Sequence, residues 1–340
     1  MRKRKKDNMR LLLGLLLLCT GISKACAQPA AVRKAAEAAF TLTTYKKDGS
    51  VLATANGVFI GKDGTGVTLW SPFAGAERAV VADAKGEKHD VEVLLGANEI
   101  YNLAKLQINA ATTAAPLAST ATANSNAWIV TSTQEGQPIL SDISEVEKFI
   151  TQYNYCILKS AATDRQAGAP VVNEKGQVIG LFATSASGQQ SATDAAYARD
   201  FSLTGLSQND PVMRQCAIRI GLPDAQDQAL IGLMLSIQKP KEVHRKVIDE
   251  FIAKFPTLND GYFASASSDM AEGRWQEADK TLQAAVGKAE NKGEAHFNYA
   301  RSIYQAAITG NASAIGWTLE KAMTEAKEAD RLNPQEATST

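Results

Sequence analysis

The chain has 340 residues, a length that at roughly 150 residues per domain predicts about two domains. With 45% hydrophobic and 21% charged residues its composition is that of an ordinary globular protein, which excludes a disordered chain, a collagen or a disulfide-dense miniprotein. Thirty-six Lys plus Arg balance 36 Asp plus Glu, but residues 1–27 hold seven of the bases (Arg2, Lys3, Arg4, Lys5, Lys6, Arg10, Lys24) and one of the acids (Asp7), so 29 bases face 35 acids in the rest. A mildly acidic body has no general attraction for nucleic acid or an anionic membrane surface.

Residues 1–27 read as a secretory signal. A basic start precedes the apolar run Leu11 to Leu18, and Ala25-Cys26-Ala27 places small residues where a signal peptidase reads them. The run is too short to span a bilayer as a stable helix, which takes roughly 20 residues. Cleavage after Ala27 and a periplasmic or secreted destination follow as expectations, with no stable membrane insertion afterwards. Acylation at Cys19 or Cys26 is the rival reading, and Leu17-Leu18 and Lys24-Ala25 are poor preludes to a lipidated cysteine. Only Cys156 and Cys216 would remain, as a disulfide or as two buried thiols. Neither has a Cys or His at ligand spacing, so no metal and no cofactor is expected.

From Phe40 to about Leu206 short strands alternate with turn signals. Thr41–Tyr45 leads to Asp48-Gly49 and Val51–Ile60 to Asp63-Gly64; Val67–Trp70, Ala79–Ala82, Val91–Leu95 and Leu103–Ile108 follow. The Ala/Thr/Ser-rich stretch 110–127 reads as a connection between two packed units. Strands resume at Trp128–Thr131, Tyr155–Lys159, Pro170–Asn173, Val178–Phe182 and Ala195–Ala198, a rhythm that argues for barrels or a sandwich.

After Asn209 the period becomes helical. Val243, Val247, Phe251 and Phe255 recur by fours up to Pro256; Tyr262, Ala266 and Met270 open another helix, which Gly273-Arg274-Trp275 turns into Ala278, Leu282 and Ala285. The order returns 34 residues later at His296 and Ala300 and closes with Ala322, Ala326, Ala329 and Leu332-Asn333-Pro334, after an extra segment at 308–317. This period resembles the tetratricopeptide repeat; a plain helical bundle is the alternative. The predicted organisation is a signal peptide (1–27), an all-β double barrel (28–206), a helical linker (207–239) and α-helical tetratricopeptide-like repeats (240–335).

Three stretches of the β-region resemble the trypsin-like serine proteases of the bacterial high-temperature-requirement type. Asn56-Gly57-Val58-Phe59-Ile60 with Gly64-Thr65-Gly66-Val67-Thr68 is similar to the hairpin before the catalytic histidine, and Asn102-Leu103-Ala104-Lys105-Leu106 to the strand opened by the catalytic aspartate. The third stretch, 167–180, running from Ala167-Gly168-Ala169-Pro170 to Val178-Ile179-Gly180, is similar to the nucleophile loop and the hairpin after it. The resemblance implies a chymotrypsin-like double barrel over 38–206. Position by position it also puts Ser71 where the histidine belongs, Asn102 at the aspartate and Ala167 at the serine.

Acyl transfer by that route needs a nucleophilic hydroxyl, an imidazole base, a carboxylate to orient it and N–H donors for the oxyanion. Ala167 has no oxygen, Ser71 accepts no proton at neutral pH and Asn102 carries no charge. Arg165 replaces the glycine two residues before the nucleophile, which puts the oxyanion hole in doubt. His244 and His296 fall in the helical region, and His89, between Lys88 and Asp90, reads as a surface strand residue. Asp164 and Arg165 read as a surface ion pair, and Ser71 and Ser160 as nucleophiles only if a base approaches.

The expected function is therefore that of an exported pseudoprotease, a scaffold that binds a peptide or protein partner. An exported serine-type endopeptidase with a non-standard site is the alternative. A third possibility is a double barrel that only steadies the helices. In the repeat register Phe263, Met270, Phe297, Arg301 and Tyr304 face the groove, residue types common at interface hot spots, with burial against neighbouring helices as the competing reading.

Overall fold

The computed structural model describes residues 28–133, 136–149, 152–310 and 315–333. Residues 1–27, expected as a signal, with Cys19 and Cys26, and the closing Pro334 lie outside them. A short helix α1 (Ala30–Ala35) leads into twelve strands: β1 (Ala39–Tyr45), β2 (Val51–Phe59), β3 (Thr65–Thr68), β4 (Arg78–Ala82), β5 (Lys88–Asn98), β6 (Leu103–Ile108), β7 (Ser125–Ile129), β8 (Ile139–Phe149), β9 (Tyr153–Ser160), β10 (Pro170–Val172), β11 (Val178–Thr184) and β12 (Gln190–Asp194). They close two six-stranded barrels in the orders β1-β2-β3-β6-β5-β4 and β10-β11-β12-β9-β8-β7. This is the trypsin-like double barrel.

Each barrel is filled by the inward half of its alternating strands. The first encloses Phe40, Leu42, Phe59, Val81, Leu94, Leu106 and Ile108, all fully or nearly fully buried, with Trp70 and Phe73 stacked beneath them at 5.9 Å between ring centroids. Phe40 lies opposite Gly57 across the β1–β2 ladder, and a Cβ on Gly57 would collide with its ring. The glycine of the first resembling stretch thus makes room for a core aromatic. A further apolar cluster joins the two barrels through Val58, Val67, Leu69 and Leu103 on one side and Trp128, Val130, Val172 and Leu181 on the other.

Four expectations are corrected by the strands. β8 has no counterpart in the sequence reading: of Ile139–Phe149 only Ser141 and Ile143 are buried, so the hydrophobic alternation that marks a strand is nearly absent. The last strand is Gln190–Asp194, and the residues expected there, Ala195–Ala198, turn into a helix, α2 (Ala196–Arg199). β3 stops at Thr68, and Ser71–Phe73 is a 3₁₀ turn with Pro72 inside it. β7 begins at Ser125, within the expected connection.

Residues 205–222 are mostly not α-helical. Two 3₁₀ turns (Gly205–Asn209 and Met213–Gln215) precede an extended stretch that lies along the first barrel. Leu94 N–H donates to Arg219 and Gly221 N–H to Leu94, while Met213, Ile218 and Ile220 join the first barrel's core.

Six helices follow: α3 (Gln226–Ser236), α4 (Lys241–Lys254), α5 (Asn259–Ala271), α6 (Trp275–Lys288), α7 (Lys292–Ile308) and α8 (Leu319–Leu332). Small residues let them approach, since Ala266, Ala278, Ala306 and Ala322 are buried together around Leu282, Ile303 and Trp317. The break between α5 and α6 is set by Gly273 at φ 73°, a left-handed conformation that glycine adopts without a Cβ penalty. Trp317, at the end of the extra segment before α8, is 1% exposed. Its indole N–H donates to Asp279 Oδ1 at 2.6 Å, as do the Tyr299 hydroxyl and Lys321 Nζ, the latter at 3.3 Å. Burial opposes ionisation of Asp279, and the donors together outweigh it, holding its pKa below the usual carboxylate value.

Candidate functional site

Ser71 and Asn102, which the resemblance places at the positions of the base and its orienting acid, are brought together by the fold. Asn102 precedes β6 with φ 49°, a left-handed conformation that Asn tolerates better than most residues. Its carbonyl accepts from Trp70 N–H at 3.2 Å and its Oδ1 from Ser71 N–H at 2.8 Å. The amide thus fastens the 3₁₀ turn to the strand, and Ser71 itself is exposed.

Ala167 ends a different 3₁₀ turn, Asp164–Gln166, capped by Thr163, whose N–H and hydroxyl both donate to Gln166 Oε1 at 2.9 and 3.1 Å. The Ala167 N–H donates to the Asp164 carbonyl at 3.0 Å and the Arg165 N–H to Thr163 Oγ1 at 3.4 Å. The resemblance places these two N–H groups where the oxyanion donors would stand, and both are bonded within the loop. An oxyanion hole needs donors directed at the developing charge; this turn provides neither.

The loop is tied to the first barrel by Asn56, which is 2% exposed. Its N–H donates to the Ala167 carbonyl at 2.8 Å and its Nδ2 to the carbonyls of Arg165 at 3.0 Å and Ala167 at 3.2 Å. Gly168, with φ 80°, packs so close to the Asn56 carbonyl that a Cβ would clash with it. The sequence reading used Asn56 as part of a motif and missed this stitching role, for which a buried-type position holding an amide is the only sequence signal.

The other candidates lie apart. Asp164 and Arg165 are both exposed, and among the described residues they form no ion pair with each other. Ser160 Oγ donates to Gln190 Oε1 at 2.8 Å, so an amide oxygen occupies the place a base would need. His89 is not a plain surface residue: its side chain is 23% exposed and its Nε2 faces Asp83 Oδ2 at 3.9 Å. Ser236 and His244 do touch, at 2.7 Å, but the single hydroxyl proton goes to the Leu233 carbonyl at 2.6 Å, which leaves His244 Nδ1 as the donor. Burial and the neighbouring Arg245 push the His244 pKa down. Cys156 and Cys216 are free thiols; burial pushes Cys156 up to about 12 and raises Cys216 as well, so neither is a ready nucleophile.

Between the barrels Tyr101, Phe149, Tyr153, Tyr197 and Phe201 form a continuous aromatic cluster. Tyr101 stacks on Tyr197 at 3.8 Å between centroids and meets Phe149 edge-on at 4.8 Å. The Tyr101 hydroxyl donates to the Phe149 carbonyl and the Tyr153 hydroxyl to Asp200. Trp70 and Phe73 are buried in the first barrel and do not reach this region.

The helical candidates are gathered on one face. Phe297 and Tyr304 are 50% and 53% exposed on α7, Arg301 is exposed beside them, and Phe263 and Met270 on α5 are half-buried. The Arg301 guanidinium lies over the Phe263 ring at 4.5 Å and near Phe297 at 5.9 Å. A groove of about 760 Å³ runs between Phe263, Phe297 and Arg301 and α8. A second, of about 570 Å³, opens between Met234 on α3, Ile237 just past its end and Phe263 on α5. A third, of about 440 Å³, is lined by Phe297, Tyr304, Leu319 and Met323.

Residues 55–181 match the family model of the trypsin-like peptidase domain. A solved serine endoprotease from Yersinia pestis is similar at 21% identity over 54% of this chain, with a TM-score of 0.44. The similarity covers 65% of that protein's length, so this chain spans less than two thirds of it. No curated protein matches the sequence. Among the described residues no helix is long and apolar enough to cross a membrane.

Proposed function

We propose that this protein is an exported, catalytically inactive relative of the trypsin-like peptidases that holds a peptide or protein partner. The observation that carries the proposal is the loop at Ala167. A methyl group stands where the attacking oxygen belongs, and the N–H groups of Arg165 and Ala167 are hydrogen-bonded within the turn. The Ser160 and Ser236 hydroxyls donate to an amide oxygen and a backbone carbonyl instead of to a base, and burial raises the pKa of both thiols.

Partner binding falls to the helical region, which we read as a short tetratricopeptide stack. Two observations support this: exposed apolar side chains follow one another along α3, α7 and α8, and the 34-residue spacing relates Phe263 to Phe297. Aromatic residues with an arginine are the groups that dominate binding energy at protein interfaces. Export rests on the basic, apolar and small-residue order of residues 1–27.

The test has two arms. An activated fluorophosphonate ester and a casein digest are applied to the purified protein; no labelling and no product above a buffer blank are expected, and labelling of any serine overturns the inactive reading. The protein is also used as bait in an envelope extract beside Phe297→Ala and Arg301→Ala. A partner that both substitutions release supports the groove, and one that neither releases overturns it.

A further inference from the structure

The geometry points to a divalent transition-metal site at one end of the first barrel, formed by Asp83, Glu87 and His89 on the β4–β5 hairpin. In the hairpin Ala82 pairs with Lys88 and Val81 with His89, and Val81 is fully buried in the barrel core. Directly opposed residues of an antiparallel pair share a face, and so do alternate residues of one strand. Asp83, Glu87 and His89 therefore share the face of Val81 at the end of the barrel, where Asp83 and His89 are half-buried and Glu87 is exposed, while Lys88 and Asp90 take the other face, where Asp90 meets Arg78 at 2.8 Å.

The three side chains each bring one donor atom within 4.8 Å of the other two. The turn fixes one of them. Asp83 Oδ1 accepts from Lys85 N–H and Glu87 N–H, both at 2.9 Å, which leaves Oδ2 directed at His89 Nε2. Their separation of 3.9 Å is too long for a hydrogen bond. A tetrahedral ion with donors about 2.1 Å away separates two of them by about 3.4 Å, a difference that a small side-chain rotation closes. The carboxylate and the imidazole are 21% and 23% exposed, so a cation between them is partly shielded from competing water.

One imidazole nitrogen with two carboxylates suits Zn²⁺, Co²⁺ or Ni²⁺ better than the all-oxygen sites of Ca²⁺ and Mg²⁺. Three protein donors leave at least one position for water. The expectation of no metal looked for cysteine and histidine partners; here the partners are acids that only the hairpin register brings to His89. A bound ion would clamp the turn against the loop that follows β7, since Thr133 Oγ1 donates to the Ala84 carbonyl at 2.7 Å.

The test uses the full chain without a histidine tag, dialysed against a chelator. Calorimetric titration with Zn²⁺ and the visible absorption of the Co²⁺ form are measured for the protein, His89→Ala, Glu87→Gln and His296→Ala, each checked for folding by circular dichroism. Asp83→Asn is avoided because Oδ1 holds the turn. The proposal expects one ion per chain, affinity lowered roughly tenfold or more by His89→Ala and measurably by Glu87→Gln, and no change in His296→Ala. It is overturned by the absence of saturable binding, by binding that survives both hairpin substitutions, or by binding that His296→Ala removes.

Discussion

Asn102 Oδ1 accepts the Ser71 backbone N–H at 2.8 Å, so the two residues that the resemblance places at the base and acid positions are joined as a structural clip. The side chain that would orient an imidazole instead closes a turn. Restoring the triad as Ser71→His, Asn102→Asp and Ala167→Ser should therefore yield no more than trace esterase activity, because the Arg165 and Ala167 N–H groups remain inside the loop. Losing one oxyanion donor already costs roughly 10²–10³ in turnover. Adding Arg165→Gly to the triple variant should raise the rate, and p-nitrophenyl ester hydrolysis is the readout; a triple variant that turns over briskly by itself would refute this account of the loop.

Gly168→Ala should destabilise the double barrel by about 2 kcal/mol or more, since an alanine at φ 80° is strained and its methyl group meets the Asn56 carbonyl. Thermal unfolding checks this. Asn56→Ala removes the donor to Arg165 and Ala167 and should also lower the melting temperature.

Asp279 gathers three donors, so Asp279→Ala leaves the Trp317 indole N–H and the Tyr299 hydroxyl without their acceptor, at a cost of roughly 2–3 kcal/mol. Its carboxyl is held below the unfolded value of 3.8. A depressed carboxylate contributes stability above the unfolded pKa and loses it as the pH falls through the folded one. The helical region should therefore weaken on acidification below pH 3.8, and Asp279→Asn should flatten that part of the curve in denaturant titrations followed by tryptophan fluorescence.

Cys156 should resist a thiol reagent at pH 8 in the native protein and react once the chain is unfolded, because burial lifts its pKa to about 12 and the residue is inaccessible. Rapid labelling under native conditions would contradict the packing of the second barrel.

The double barrel was legible because its turns carry Asp-Gly and Gly-rich signals and most of its strands alternate cleanly. β8 was not, since its fully buried positions amount to Ser141 and Ile143, while its apolar Ile139, Val146 and Phe149 are only half-buried and do not alternate with polar residues. The helices were legible through the spacing of Tyr262, Ala266 and Met270 and of Ala278, Leu282 and Ala285. What the spacing could not reveal was the destination of the extra segment, which ends in Trp317 against a carboxylate 38 residues earlier. The candidate triad positions come from matching residues to a family pattern, whereas the hydrogen bonds of the Arg165 N–H to Thr163 and of the Ala167 N–H to Asp164 rest on a choice of backbone conformation that residue types alone do not dictate.

The extended stretch beside β5 also has a mechanical meaning. Arg219, whose carbonyl is bonded to Leu94, pairs through its guanidinium with Glu250 on α4, and Glu250 also accepts the Leu222 N–H at 2.9 Å. Lys254 Nζ holds the Leu222 carbonyl at 2.6 Å. The passage from barrel to helices is thus a braced joint in place of a slack tether, and a load taken up by α4 is handed to the wall of the first barrel.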